Sequence, residues 1–165
     1  MSKKSKLFLS ISIGLNILLV LHLISEYTNK QEIKETVLFS EVYDNLEELE
    51  GTIANQINND WTEPKLVTAQ LEETISGFYL SSITSQRLGM LSDEEDRIMD
   101  NIYLELNSYL NKSYDLTEQS KEDLEQLRLM IREVGIGTDI WRGELNNVMK
   151  DIKEKLNKLS SIIIN

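Results

Sequence analysis

Asp93-Glu94-Glu95-Asp96 is the densest run of potential cation ligands in the 165-residue chain. A calcium loop spaces its carboxylates at alternate positions, turns on a central glycine and closes with a bidentate glutamate. This run does none of these. It follows Ser92, and Ser92 with Glu95 spells the S-x-x-E of a capping box, so the four acids are expected to open a helix, where negative charge is favoured. His22 is the single histidine and there is no cysteine. Thiol nucleophiles, thiolate metal sites and disulfides are therefore excluded, and zinc or haem would lack ligands. The Glu-x-x-His signature of di-iron bundles, the Gly-x-Ser-x-Gly elbow and phosphate-binding glycine loops are absent. Gly135-Ile136-Gly137 copies part of a dinucleotide fingerprint but follows a helical pattern, and reads as a helix break. No catalytic, cofactor-binding or metal residue is assigned, and the chain is read as not an enzyme. The one catalytic arrangement its composition leaves room for is a carboxylate-only metal site built from several helices.

The remaining candidate residues lie near the N-terminus. Ser10 and Gly14 form a small-xxx-small pair, and Ser12 and Asn16 are also one turn apart. In a lipid environment small residues let helices approach, and a buried Asn bonds across them for roughly 0.6–2 kcal/mol. Ser10, Ser12, Gly14 and Asn16 are thus a candidate helix-association face. His22, with no expected partner in the chain, is read as snorkelling to the headgroups.

These residues sit in a stretch whose composition sets the architecture. Lys3, Lys4 and Lys6 precede Leu7–Ile24, eighteen residues without a charge, thirteen of them Leu, Ile, Val or Phe. As a helix this run is roughly 27 Å long, close to the hydrocarbon thickness of a bilayer. A cleaved secretory signal would have a shorter apolar core and a small-x-small cleavage site; an uncleaved anchor is expected instead. The flanking lysines place the N-terminus in the cytoplasm. The expected division is a basic stub over 1–6, a transmembrane signal-anchor helix over 7–25, and an extracytoplasmic domain over 26–165. All 28 Asp and Glu follow the run while three of the 17 Lys and Arg precede it, leaving 14 basic against 28 acidic groups, a net −14, outside. That charge repels phosphates and argues against nucleic acid as a partner.

Downstream, apolar residues recur with helical spacing almost without interruption. Leu38, Val42, Leu46, Leu49, Ile53 and Ile57 mark a helix from about Gln31 that ends at Asn58-Asn59-Asp60. Val67, Leu71, Ile75, Phe78 and Ser82 mark a second, with Pro64 in its first turn, Gly77 permitting close packing and Gly89 stopping it. Ile98, Ile102, Leu106, Tyr109 and Leu110 define a third, which stops by Tyr114. Leu124, Leu127, Ile131 and Val134 define a fourth, from Thr117 or Ser120 to Gly135. The last is capped by Thr138 or Asp139 and carries Trp141, Leu145, Val148, Ile152, Leu156, Leu159 and Ile163 at heptad-like steps. Trp61 and Trp141, at helix boundaries, are read as core and rim packing.

The expected fold is all-α: a single N-terminal transmembrane helix followed by an antiparallel bundle of four to five helices with coiled-coil-like packing. The expected function is that of a membrane-anchored extracytoplasmic interaction protein, a scaffold, adaptor or regulator acting on a protein partner or on a second copy of itself. The alternative is a ligand-sensing bundle that reports through a partner membrane protein. No cofactor is implied.

Overall fold

A computed structural model describes the backbone of residues 3–89, 91–137 and 145–164; the side chains of 3–11, 31–32, 34–40 and 145–149 lie outside the described set. The described residues form six α-helices and a π-helical segment: α1 (Lys3–Thr36), the π-helix Val37–Asp44, α2 (Asn45–Asn58), α3 (Lys65–Leu88), α4 (Asp93–Ser113), α5 (Glu118–Glu133) and α6 (Leu145–Ile163). No strand occurs among the described residues. The chain divides into two compact units, Met1–Lys34 and Glu35–Asn165.

The first unit holds α1 up to Lys34. Its described apolar side chains are exposed on every side, from Ile13 through Leu18 and Leu21 to Ile24. The described side chains begin at Ser12, and within them Asn16, His22 and Glu26 dilute the apolar run. Among the described residues no helix is long and apolar enough to cross a membrane. The side chains of Leu7–Ile11, the opening of the expected span, lie outside the described set.

The second unit is built on the apolar stripes. Leu46, Leu49 and Ile53 of α2, Val67, Leu71 and Phe78 of α3, Ile102 and Leu106 of α4, Leu124, Leu127 and Ile131 of α5 and Ile152 and Leu159 of α6 are fully buried together. Helix ends follow local chemistry. Ser92 and Glu95 form the expected reciprocal capping box, so the acidic run opens α4. Thr117 caps α5 through its side chain, which accepts from the Ser120 N–H at 3.1 Å. Gly89 takes the left-handed conformation (φ 60°) that ends α3, and Gly135 and Gly137 (φ 89° and 78°) carry the chain out of α5. Positive φ costs glycine little and other residues more.

Three expectations need correction or fall outside the described residues. The first bundle helix is not uniformly α-helical: a π-helix, which closes i→i+5 hydrogen bonds, occupies Val37–Asp44. Ser82 is only half-buried, whereas Ser81 and Ser85 are buried, because α3 also packs against the π-helix. The expected N-cap of α6 at Thr138 or Asp139, and Trp141, lie outside the described residues, as do the side chains of Leu38, Leu145 and Val148.

Contacts fix the direction of neighbouring helices. Thr74 Oγ1 donates to the Asn45 carbonyl (3.1 Å) and Gln70 Nε2 to Glu48 Oε2 (3.4 Å), so α2 and α3 run antiparallel. Where they converge, a Cβ on Gly77 would lie 2.1 Å from the Glu41 carbonyl oxygen. Glycine is therefore needed at that crossing.

Candidate interaction surface

The charged groups enclosed by the bundle tie it together. Glu50 on α2 is nearly buried; its Oε1 accepts from Arg128 Nε at 3.0 Å and from Arg132 Nη1 at 3.2 Å, both on α5. A Cβ on Gly137 would lie 3.1 Å from Glu50 Oε2, so the turn after α5 closes against this carboxylate. Lys155 on α6 places its Nζ 3.0 Å from Asp151 Oδ2, 3.2 Å from the Gly135 carbonyl and 5.7 Å from the centre of the Tyr43 ring. These groups are spent on partners within the fold, as buried charges must be. Among the described residues no three His, Asp or Glu side chains converge as a metal site would require. A partly open space of about 30 Å³ between α4 and α6, lined by Leu91, Ile98, Met99 and Leu156 with the Glu95–Lys153 ion pair at its edge, is too small for anything beyond a few waters.

The outer seam of α3 and α4 differs in character. The two helices run antiparallel. At one end Gln86 Nε2 donates to Asp96 Oδ2 (2.9 Å) and Ser82 Oγ to Asp96 Oδ1 (3.3 Å). At the other, Thr68 Oγ1 donates to the Ser113 carbonyl (3.3 Å) and the Tyr114 hydroxyl to Glu72 Oε1 (2.7 Å). Between them the Tyr79 and Tyr103 rings lie 6.3 Å apart, centre to centre. Two shallow grooves open along this seam. One, of about 390 Å³, is walled by Lys65, Thr68, Ala69 and Glu72 of α3 and by Tyr114. The other, of about 380 Å³, is walled by Ile75, Tyr79 and Leu80 of α3 and Tyr103 of α4.

Exposed apolar groups gather here. Among the described residues of the second unit, eight large apolar side chains are exposed, and six of them (Leu66, Tyr79, Leu80, Leu88, Leu104 and Tyr114) belong to α3, α4 or the residue that ends α4. The charged residues that line the two grooves are Lys65 and Glu72, one of each sign. Between Lys65 and Arg87 the chain carries Glu72 and Glu73 and no Lys or Arg; between Arg97 and Lys112 it carries Asp100 and Glu105 and again none. The hydrogen bond to Glu72, with some burial and the charge of Glu72, raises the Tyr114 hydroxyl above its ordinary pKa. On the side of α4 facing α5, hydrogen bonds from Lys112 and Gln119 hold Asp123 below the usual carboxylate range. Burial, with the charges of Glu105 and Asp123, raises the Tyr109 hydroxyl.

The residues singled out near the N-terminus lie on α1. At 100° per residue, Ser10 and Gly14 fall on one side of the helix and Ser12 and Asn16 on nearly the opposite side, so they form two short stripes and not one face. Ser12, Gly14 and Asn16 are exposed, nothing would meet a Cβ at Gly14 within 4 Å, and the side chain of Ser10 lies outside the described residues. His22 does have a neighbour: its Nε2 is 3.9 Å from Glu26 Oε1, one turn on.

Sequence reading passed over the α3–α4 seam because its tyrosines look scattered until the antiparallel register brings Tyr79 to Tyr103 and Tyr114 to Glu72. The legible signal was the pair of basic-free stretches. Comparison of the chain with protein-family models, with curated proteins and with solved structures finds no match.

Proposed function

We propose that this chain is a membrane-anchored, extracytoplasmic interaction protein that acts as a scaffold, adaptor or regulator of another envelope protein and carries out no catalysis. The observation that carries this reading is the exposed apolar and aromatic seam of α3 and α4 on an otherwise acidic, tightly packed bundle. Contiguous exposed apolar surface of this kind marks protein contact sites. A ligand sensor would be expected to enclose a polar cavity, whereas the larger spaces among the described residues are open grooves and the space between α4 and α6 is only about 30 Å³.

The anchor rests on the uncharged run Leu7–Ile24 and its flanking lysines. The all-round exposure of the apolar side chains of α1 supports it, since a helix apolar on every side belongs in a large core or in lipid. In such a helix Ser10/Gly14 and Ser12/Asn16 would offer two separate contact stripes to neighbouring spans.

In-cell crosslinking of the full-length protein, with identification of what is attached, tests the reading. A reproducible envelope-protein adduct is expected. Absence of any adduct from crosslinkers distributed over the bundle would overturn it.

A further inference from the structure

The helix that enters the second unit changes its hydrogen bonding without a break. α1 ends at Thr36, the π-helix covers Val37–Asp44 and α2 begins at Asn45, with no residue between them. A π-helix closes i→i+5 bonds, is rare, and occurs mostly as a single turn inside an α-helix, frequently at a functional site. Eight residues exceed one such turn.

The side chains do not call for this form. Leu38, Val42, Leu46 and Leu49 are spaced 4, 4 and 3, the period of an α-helix. The apolar pattern thus runs through the segment in α register while the backbone does not. Specific contacts hold the π form instead. The Glu41 carbonyl accepts from Asn45 Nδ2 at 2.8 Å. The same carbonyl lies against Gly77 of α3, where a Cβ would come within 2.1 Å of it. Next to it, Thr74 Oγ1 donates to the Asn45 carbonyl at 3.1 Å and fixes the start of α2.

The crossing is not satisfied throughout. Thr74, Gly77, Ser81 and Ser85 recur at steps of 3, 4 and 4 on one face of α3, and the antiparallel register carries that face onto the π-helix. Thr74 bonds two carbonyls, those of Gln70 and Asn45. Ser81 and Ser85 are buried, and among the described residues their hydroxyls have no hydrogen-bond partner. Burying a hydroxyl unpaired is unfavourable. The segment is therefore pulled two ways, toward π by its contacts with α3 and toward α by its own sequence. Packed helices respond to such competition by moving between discrete arrangements.

We propose that Val37–Asp44 is a register switch. It passes between the π-helix of this structure and an α-helix, and each residue of register turns the chain that precedes it by about 100° around the helix axis. α2 stays in place through its bonds to α3 and α5. This rests on the reading of the chain as a regulator and supplies a means of regulation: a turn of the entering helix and a change at the α3 crossing become one event.

Spin labels test the switch, since the chain has no cysteine of its own. Glu41→Cys in the π-helix and Glu122→Cys on α5, both at exposed positions, carry them in the full chain in lipid nanodiscs. Pulsed electron resonance measures the distance between them. On a helix about 10–12 Å across, a change of register moves the label at position 41 by about 5–8 Å. Two further substitutions bias the register independently. Asn45→Ala removes the side-chain bond to the Glu41 carbonyl, and Gly77→Ala sets a methyl against that carbonyl. Gly51→Ala, where a Cβ meets nothing within 4 Å, is the control.

The parent and the control are expected to share one main distance. Asn45→Ala and Gly77→Ala should each add a second, discrete distance, the same in both, in at least about a tenth of the molecules. One distance throughout, a smear without a second maximum, or different distances in the two variants overturns the proposal. Hydrogen exchange on the parent keeps the test open if a variant fails to fold. Amides of residues 37–46 should exchange at least about tenfold faster than those of 49–56 in α2, and equal rates overturn the switch. Such a failure leaves the interaction reading standing, because in-cell crosslinking tests that reading by itself.

Discussion

A methyl group added at Gly77 would sit 2.1 Å from the Glu41 carbonyl oxygen and 2.7 Å from the Asn45 side-chain nitrogen, whereas one added at Gly51 would meet nothing within 4 Å. Both glycines lie inside helices, so both forgo about 1 kcal/mol of helix propensity relative to alanine. At Gly51 that gain should be realised: Gly51→Ala is expected to raise stability by about 0.5–1 kcal/mol. At Gly77 the backbone of the π-helix would have to move, and Gly77→Ala should cost about 1–3 kcal/mol net, the usual range for overpacking. Thermal melts of the two variants beside the parent test the contrast; equal shifts would mean that the crossing is not close. Asp44 belongs to the same junction. Burial, then the charges of Glu47 and Glu48, raise its carboxyl above the ordinary value of 3.8. The folded chain therefore holds that proton more tightly than the unfolded chain does. The resulting stability is complete below the unfolded carboxylate pKa and is lost as pH rises through the raised folded one. Asp44→Asn removes the charge, so it should melt higher than the parent near neutral pH and lose that advantage below the ordinary carboxylate range. An advantage that did not vary with pH would place the cause in packing.

Helix ends were the legible part of the elements because each rests on a local chemical signal. Ser92 with Glu95, Thr117, Gly89 and the Gly135–Gly137 turn act within a few residues of themselves, and α3, α4 and α5 begin or end where those residues stand. The π-helix was not legible. Val42 and Leu46 fit an α-helical period, and what departs from it is backbone register, with Gly77 of α3 set against the Glu41 carbonyl. The tie between α2 and α5 was equally hidden, since Glu50 and Arg128 stand 78 residues apart and each reads alone as a surface charge. Removing one member of a nearly buried ion pair strands the other, at about 3–5 kcal/mol. Glu50→Ala should approach that loss, and Glu50→Gln, which keeps the shape and some hydrogen bonding, should cost about 1–3 kcal/mol. The Arg128 side chain is 19% exposed and that of Arg132 50%. Arg128→Ala should therefore destabilise clearly, and Arg132→Ala by no more than about 1 kcal/mol. Urea titration orders the four variants, and a larger effect at Arg132 would relocate the tie.

At the scale of the whole molecule the distribution of charge is the strongest constraint. Three lysines precede the apolar run and every acid follows it, and on the proposed anchoring the positive-inside rule would keep the N-terminus in the cytoplasm and export the bundle. The α3–α4 seam can meet an extracytoplasmic partner only if that orientation holds, so topology is a condition of the proposed function. The absence of cysteine makes it directly measurable, because any introduced thiol is the sole one in the chain. Ser5→Cys places it in the stub and Asn58→Cys at the end of α2, where the residue is exposed. A membrane-impermeant maleimide applied to intact cells should label the Asn58→Cys chain and leave the Ser5→Cys chain unlabelled until the cells are lysed. Labelling at neither position before lysis would put the bundle on the cytoplasmic side. Its partner would then be sought there, while the packing of the bundle and its exposed α3–α4 seam would stand unchanged.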